Sequence, residues 1–433
     1  MKHEFMAGFG REIITPPLGT GLYGYPHMRP AKSVHDDLYV NVFSFKSEKT
    51  QLLMIGIDVC TVGFTEVDIL KGAILDKYGI SPENITITGI HTHSGPCTRS
   101  TPGWGEGNME YINTILLPAT VKAVSNAISS MQSALMGIGT VESLVGINRR
   151  ELTLDGEVIL GQNPFGILNK KMTVLSFSTL AGKKIATMVH YGAHGTAAGE
   201  NDEITRDWIG GMCDALEKET GVPTAYIAGQ TGDVGPRISN GKTTGNIHYV
   251  EELGSLAGKD AIRAFNSIKE YTVPTLSVKC EKIEIPFDPI MPYETAKSEL
   301  EKIGNTDALV GMPKKMAVKY RTIMDIYEQN LKTEESLVYY ASFISIGAVA
   351  FASFPFEVFT EISLRLAAHS PFEHTLVLNN TNGAHAYFPA KCEISRGGYE
   401  VEIFQNFAPY KPIDDADSAV IKQYVSILKE MKM

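Results

Sequence analysis

The chain predicts an α/β fold, with mixed α+β as the variant: a central β-sheet flanked by helices, and a site at the C-terminal ends of its strands. Two observations lead there. Apolar runs of strand length alternate with amphipathic runs of helix length through most of the 433 residues. Polar clusters rich in histidine and glycine recur directly after the strand-like runs, and along that edge of such sheets ligands gather.

Residues 39–45 and 51–58 read as paired strands around a polar turn at 46–50. A helical period over 65–78 ends near Gly79, and 84–90 alternates as a strand. Residues 110–131 read as a long amphipathic helix and 134–145 as a strand, and 172–178 with 185–189 as a hairpin around Ala181-Gly182. Trp208–Thr220 reads as helix, Thr224–Ala228 as strand and 248–267 as helix. The stretch 292–331 is charged and helix-favouring, either a helical insertion or a helical layer. Residues 336–356 then run 21 positions without a charge. Their aromatic, β-branched and serine content, broken by Gly347, predicts two buried strands rather than a membrane span. A helix over 358–368, a strand over 375–379 and a last helix over 415–431 complete the pattern. With no internal repeat, low-complexity segment or Pro/Gly/Ser linker, the expectation is a single domain spanning 1–433.

A hydrophobic content of 43% and a charged content of 20% belong to an ordinary soluble protein. The net charge of −10 without a long basic run excludes nucleic acid and anionic membrane surfaces as partners. Five scattered cysteines without a CxxC pair suit a reducing compartment. The first ten residues hold no apolar leader, so a cytoplasmic location and no stable membrane insertion are expected.

Five polar groups follow strand-like runs. His91-Thr92-His93-Ser94-Gly95-Pro96 comes first. If the strand runs on through His93, period 2 puts both imidazoles on one face, where both hold a metal or one holds it while the other moves protons. Next are His190 and His194, between which Gly192 makes a helical pairing unlikely to form. The glycine-rich loop 229–237 offers backbone N–H groups to an oxyanion but lacks the GxxxxGK[ST] spacing of a phosphate loop. Glu357 stands in the apolar string Phe354-Pro-Phe-Glu, where a carboxylate needs a cation or strong donors. Last come 379–389 and 397–400. One site assembled from distant segments accounts for all five.

Taken in order, His91-Thr-His-Ser-Gly-Pro, Asn148-Arg149, the His194 loop to Asp207-Trp-Ile-Gly210, Gly232-Asp-Val-Gly-Pro236, Pro355-Phe-Glu357 and the Tyr387…Tyr399 segment resemble the neutral/alkaline, non-lysosomal ceramidases. The resemblance runs from residues 8–15 to 398–401. It implies a hydrolase that cleaves an amide (N-acyl) bond with one Zn2+ and a metal-activated water. By that resemblance His91, His194, Glu357 and Tyr387 match the zinc ligands, His93 the nearby acid/base, and Arg149 and Tyr399 the groups that support an oxyanion. His194 fits the family spacing to Asp207 better than His190. Three departures stand out. Gly235 replaces the family's serine, which removes a serine nucleophile there and leaves metal-activated water. Phe356 replaces a glycine. The chain also ends soon after Tyr399, without the family's C-terminal immunoglobulin-like domain. The expected partner is therefore a small N-acylated molecule rather than membrane ceramide. The alternative is a non-catalytic or ester-cleaving relative that binds a small ligand in the same metal pocket.

Overall fold

The structure, a computed structural model, describes residues 5–433 apart from Lys49, Asp307 and Ala408. Residues 1–4, Lys49 of the 46–50 turn and Asp307 of the 292–331 stretch thus lie outside the described residues.

The larger sheet runs Thr224–Ala228, Lys184–Tyr191, Lys171–Thr179, Gln132–Glu142, Met6–Ile13, Tyr39–Lys46, Gln51–Ile57, Ile85–Gly89, with Tyr271–Thr272 paired beside Gln132–Glu142. Its inner pairs are antiparallel and the outermost pair at each end is parallel. A parallel pair needs a crossover. Phe64–Tyr78 supplies it at one end and Trp208–Thr220 at the other. A smaller sheet runs Leu276–Pro286, Ser336–Ile346, Val349–Ser353, His374–Leu378. The uncharged stretch 336–356 therefore forms two antiparallel strands, and among the described residues no helix is long and apolar enough to cross a membrane.

Alternation along the strands stacks the chain in layers. Phe43 and Phe45 point to one side, where they meet Ile344, Ile346 and Phe351 of the smaller sheet. Val40 and Val42 point to the other, onto the helices Phe64–Tyr78 and Leu117–Ser129. The far half of the large sheet is covered by Trp208–Thr220 and Ile247–Asn266, and the smaller sheet by Thr360–His369 and Ala416–Lys432. The order is helix, sheet, sheet, helix. Each phenylalanine buried between the sheets stabilises by about 1.5–3 kcal/mol relative to exposure. Trp208–Thr220 and Ile247–Asn266 cross closely, since a Cβ on Gly211 would lie 3.2 Å from the Gly254 Cα.

One segment ties the two sheets together at their strand ends. The Asn379 N–H donates to the Ala228 carbonyl (3.1 Å), and Asn382 exchanges two bonds with Ile87, N–H to carbonyl at 2.8 Å and Ile87 N–H to Oδ1 at 3.0 Å. Both edge strands of the large sheet are thereby satisfied by one loop leaving the small sheet. Asn380 and Asn382 adopt φ of 43° and 57°, a conformation asparagine tolerates.

Three local readings change. The strand before His91 stops at Gly89, and His91 itself takes φ 72°, so the HTH run is a turn and not a continued strand. The helix read at 110–131 begins at Met109 and carries a π-bulge over Ile112–Leu116. Strands Gly146–Leu152, Val158–Asn163 and Leu276–Pro286 were not anticipated. In the 292–331 stretch two helices form, Tyr293–Ile303 and Gly311–Glu328, packed on each other through Ala296, Tyr320 and Ile323.

Candidate metal centre

His91 follows Ile85–Gly89 and His194 follows Lys184–Tyr191, strands towards opposite ends of the large sheet's order, yet their loops zip together. Gly195 N–H donates to the His91 carbonyl (3.2 Å) and His93 N–H to the Gly195 carbonyl (3.1 Å). The left-handed φ of His91 is the strained element of this turn, and it turns the imidazole inward. Asp207 holds the following loop by accepting from Ala197 N–H (3.0 Å), Ala198 N–H (2.9 Å) and Trp208 N–H (2.8 Å). Beyond the strands of the smaller sheet, Glu357–Val358 pairs in parallel with Tyr387–Phe388 as a separate two-stranded sheet, in the register Glu357 opposite Tyr387.

These segments bring His91, His194 and Glu357 into one buried group. The Glu357 Oε2 lies 3.3 Å from His91 Nε2 and 3.1 Å from His194 Nε2. The remaining ring nitrogens are occupied on the protein side. His194 Nδ1 lies 2.9 Å and 3.0 Å from the Thr231 and Val234 carbonyls, and His91 Nδ1 3.2 Å from the Cys60 carbonyl. His194 Nδ1, faced by two carbonyls, then carries the proton and leaves its Nε2 lone pair directed at the carboxylate, and the Cys60 carbonyl favours the same tautomer at His91. Neither His91 Nε2 nor Glu357 Oε2 has a hydrogen-bond partner. Lone pairs facing one another out of water are unfavourable unless a cation lies between them, and only His194 Nε2 has a donor beside it, Arg149 Nη1 at 2.9 Å. The edge of a zinc tetrahedron with bonds near 2.1 Å is about 3.4 Å, close to the observed spacings. The donor set thus fits a zinc ion.

Without a metal the group shares protons unequally. Burial opposes the His91 imidazolium, but the Glu357 carboxylate outweighs it and lifts the group to about 10. Burial, Arg149 and a charged His91 push His194 down to about 3. Burial alone would raise Glu357, yet the two imidazoles hold it well below the usual carboxylate range.

Around this group stand the other predicted residues. The His93 ring lies 5.2 Å from His91 and 5.8 Å from His194, edge to face with Tyr25. Both its ring nitrogens are buried without a partner. Burial and the facing His91 and His194 hold His93 well below its ordinary value, so it is neutral. Arg149 Nη1 is 2.9 Å from His194 Nε2, while its Nη2 has no partner. Its guanidinium lies 5.4 Å from the Tyr387 ring centre, and Tyr387 packs on Tyr399 at 5.7 Å. All line one cavity of about 430 Å3 with His91 and Glu357.

His190 does not join this group. It sits on the Lys184–Tyr191 strand, and its Nε2 donates to the Val377 carbonyl at 2.8 Å. Period 2 would have placed His190 and His194 alike only if the strand had continued past Tyr191. At Gly235, a Cβ would come within 2.6 Å of the Thr243 Cβ, so Thr243 fills the volume a serine would use. Phe356 is buried against Tyr339, His385 and Phe388, packing beneath Glu357.

Several site-building residues escaped the sequence reading. Glu400, 1% exposed, accepts from Arg149 Nε at 2.7 Å and from Arg150 Nη1 at 2.8 Å. Asp233 accepts from both the N–H and the hydroxyl of Thr360 at 2.8 Å, anchoring the helix that follows Glu357. Asn380 Nδ2 lies 3.2 Å from His91 Nδ1. The only advance signal was their position in the polar clusters after strand ends.

Two imidazoles and a carboxylate, gathered beyond strand ends, with His91 and Glu357 on the wall of a cavity, define an α/β protein with a candidate metal-dependent site. The chain belongs to the neutral/alkaline non-lysosomal ceramidase family, whose N-terminal region it matches over residues 5–250. Glu357, Tyr387 and Tyr399 lie beyond that match. The fold is similar to the crystal structure of neutral ceramidase from Pseudomonas aeruginosa, with a TM-score of 0.76 at 18% identity, covering 99% of this chain and 75% of that one. It is equally similar to a structure described as ceramidase complexed with C2, with a TM-score of 0.75 at 16% identity, covering 100% and 76%. At these identities the likeness concerns the fold. No curated protein matches the chain.

Proposed function

We propose that the chain is a zinc-dependent hydrolase of an N-acyl amide whose other half is smaller or more polar than membrane ceramide. The observation that carries this reading is the buried convergence of two imidazole Nε2 atoms within 3.3 Å of one carboxylate oxygen, where neither His91 Nε2 nor Glu357 Oε2 has a hydrogen-bond partner. His91, His194 and Glu357 hold the ion, and Tyr387, opposite Glu357, completes the set. When bound, zinc supplies Lewis acidity and lowers the pKa of water to about 7.

The protein's own groups do the rest. His93, neutral and with both nitrogens free of protein partners, takes the proton of the attacking water and returns it to the leaving nitrogen. Arg149 presents its free Nη2 to the oxygen that gains charge, and Tyr399 stands beside it through Tyr387. Glu400 holds Arg149 in place. Gly235 leaves no side chain to attack from that position.

Metal analysis of the purified chain and amine release from N-acyl amides test this together. The expected result is about one zinc per chain, lost in His91→Ala and His194→Ala, and amide hydrolysis abolished by chelation and restored by zinc. A wild-type chain that binds zinc no better than the two variants would overturn the reading.

A further inference from the structure

The wall of the cavity away from His91 and Glu357 carries two cations that the proposed hydrolysis does not use. Arg99 comes from the loop after Pro96, and Lys315 from the first turns of Gly311–Glu328; both line the cavity and both are half-buried. The Arg99 guanidinium donates through Nη2 to the His385 carbonyl. That carbonyl is two residues from Tyr387, so Arg99 is anchored at most about 7 Å along the chain from a proposed zinc ligand.

Among the described residues no carboxylate makes an ion pair with Arg99 or Lys315, and Lys315 makes no hydrogen bond. The charged groups facing Lys315 are Arg99 and Lys319, both positive, and with burial they pull it down to about 8. Other enclosed arginines of the chain are paired: Arg150 with Glu393 and Glu400, Arg206 with Asp36 and Asp214. In a chain of net charge −10, two unpaired cations in one cavity are an exception. Holding them together costs free energy that an anion in the cavity returns. The Gly311–Glu328 helix adds to the same field, because its N-terminus at the cavity has no acidic residue in the first turn and no side-chain cap. The remaining wall mixes five threonines with larger side chains, of which Tyr23, Trp104, Met312 and Ile403 are available to an acyl chain.

We infer that Arg99 and Lys315 form a subsite for an oxyanion carried by the substrate, so that the molecule cleaved is an N-acyl amide bearing a carboxylate or a phosphate a few bonds from the amide. The choice of scissile bond rests on the amide-hydrolase reading; the charge preference does not. Arg and Lys differ in the use they make of such a group. Arg99 offers a planar fork that suits either oxyanion, and Lys315 a mobile point charge.

A matched set with one acyl chain tests it: the N-acylglycine (carboxylate), the N-acylethanolamine (neutral) and its phosphate ester. Binding is read from Trp104, which lines the cavity, since the other tryptophan, Trp208, is fully enclosed in the core. Turnover is read separately as amine release. The wild type is expected to bind one or both anionic ligands about tenfold or more tighter than the neutral one, the range of charge-assisted hydrogen bonds. Which anion gains more separates carboxylate from phosphate. Lys315→Gln and Arg99→Gln each reduce the ratio, the double variant removes it, and Lys315→Arg keeps it. Unchanged melting temperatures show that the variants fold. Equal binding of all three ligands, or a ratio that survives in the double variant, overturns the inference. A preference for anions without hydrolysis of any ligand supports the subsite and counts against the hydrolase reading. Hydrolysis of all three at equal efficiency does the reverse.

Discussion

Single residues in this chain decide which charges stay buried. Glu400 neutralises Arg149 and Arg150 at once, and without it Arg149 would lose its carboxylate in a low-dielectric interior while Arg150 kept only Glu393. Gly235 and Thr243 divide one volume between them, so loss of the family's serine and presence of a threonine nearby are one structural fact. His190 shows how a histidine can look like a ligand and be something else. Its ring is enclosed between the sheets and bonded to Val377, and burial lowers it from 6.5 to about 4. The folded imidazole therefore stays neutral where an unfolded one takes up a proton. Between pH 6.5 and about 4 the unfolded state binds more protons, so this group's contribution to stability is full above that window and is lost as pH falls through it. The buried Asp58 and Asp233, raised to about 7, act in the opposite sense over a similar range. A comparison of variants isolates the histidine. His190→Gln is expected to be less stable than wild type near pH 7, with the gap narrowing by about 2–3 kcal/mol towards pH 4.5, at about 1.4 kcal/mol per pH unit. Urea unfolding of both proteins at the two pH values measures it, and a gap independent of pH would show that His190 does not titrate with folding.

Elements with a clean period and definite ends were legible from the chain alone. Trp208–Thr220 was bounded correctly because Asp207 caps its start and Gly221 takes φ 71° at its end. The 336–356 hairpin was legible because nothing charged interrupts it. Leu276–Pro286 was hidden because lysine and glutamate alternate with its apolar residues on an edge strand, with only Ile283 and Ile285 fully buried. Gly146–Leu152 was hidden because its core-facing side chains include Arg149 and Arg150, whose partners arrive from position 393 onward. The turn at His91 depends on contacts with the His194 loop, and no local pattern announces it. The helical character of 292–331 was legible, but not its division into two helices or their place over the cavity. That placement rests on a glycine contact. Gly311 N–H donates to the Gly103 carbonyl at 2.7 Å, Gly103 has φ 86°, and a Cβ on it would collide with the Gly311 carbonyl. Gly103→Ala is therefore expected to cost about 1 kcal/mol or more and to loosen the helical pair. Limited proteolysis should cut within 292–331 faster in the variant than in wild type. An unchanged cleavage pattern would mean that other contacts hold these helices.

At the scale of the molecule, the proposed zinc ligands come from both sheets. His91 and His194 follow strands of the larger sheet, whereas Glu357 and Tyr387 follow strands of the smaller one. The two layers otherwise meet through apolar side chains and the 379–382 loop. An ion held by all four residues would therefore cross-link the layers at the strand ends, in addition to neutralising Glu357 and its facing imidazoles. Ligand that binds only the folded state stabilises it by about 2.7 kcal/mol at a hundredfold excess over Kd. The expected outcome is a melting temperature that rises with free zinc and falls on chelation as one cooperative transition, because both layers lose the same tie. In His91→Ala that dependence should vanish while the circular dichroism of the folded chain persists. Two separate transitions on chelation would mean that the layers unfold independently. A zinc-dependent melting temperature retained by His91→Ala would place the stabilising ion elsewhere in the chain.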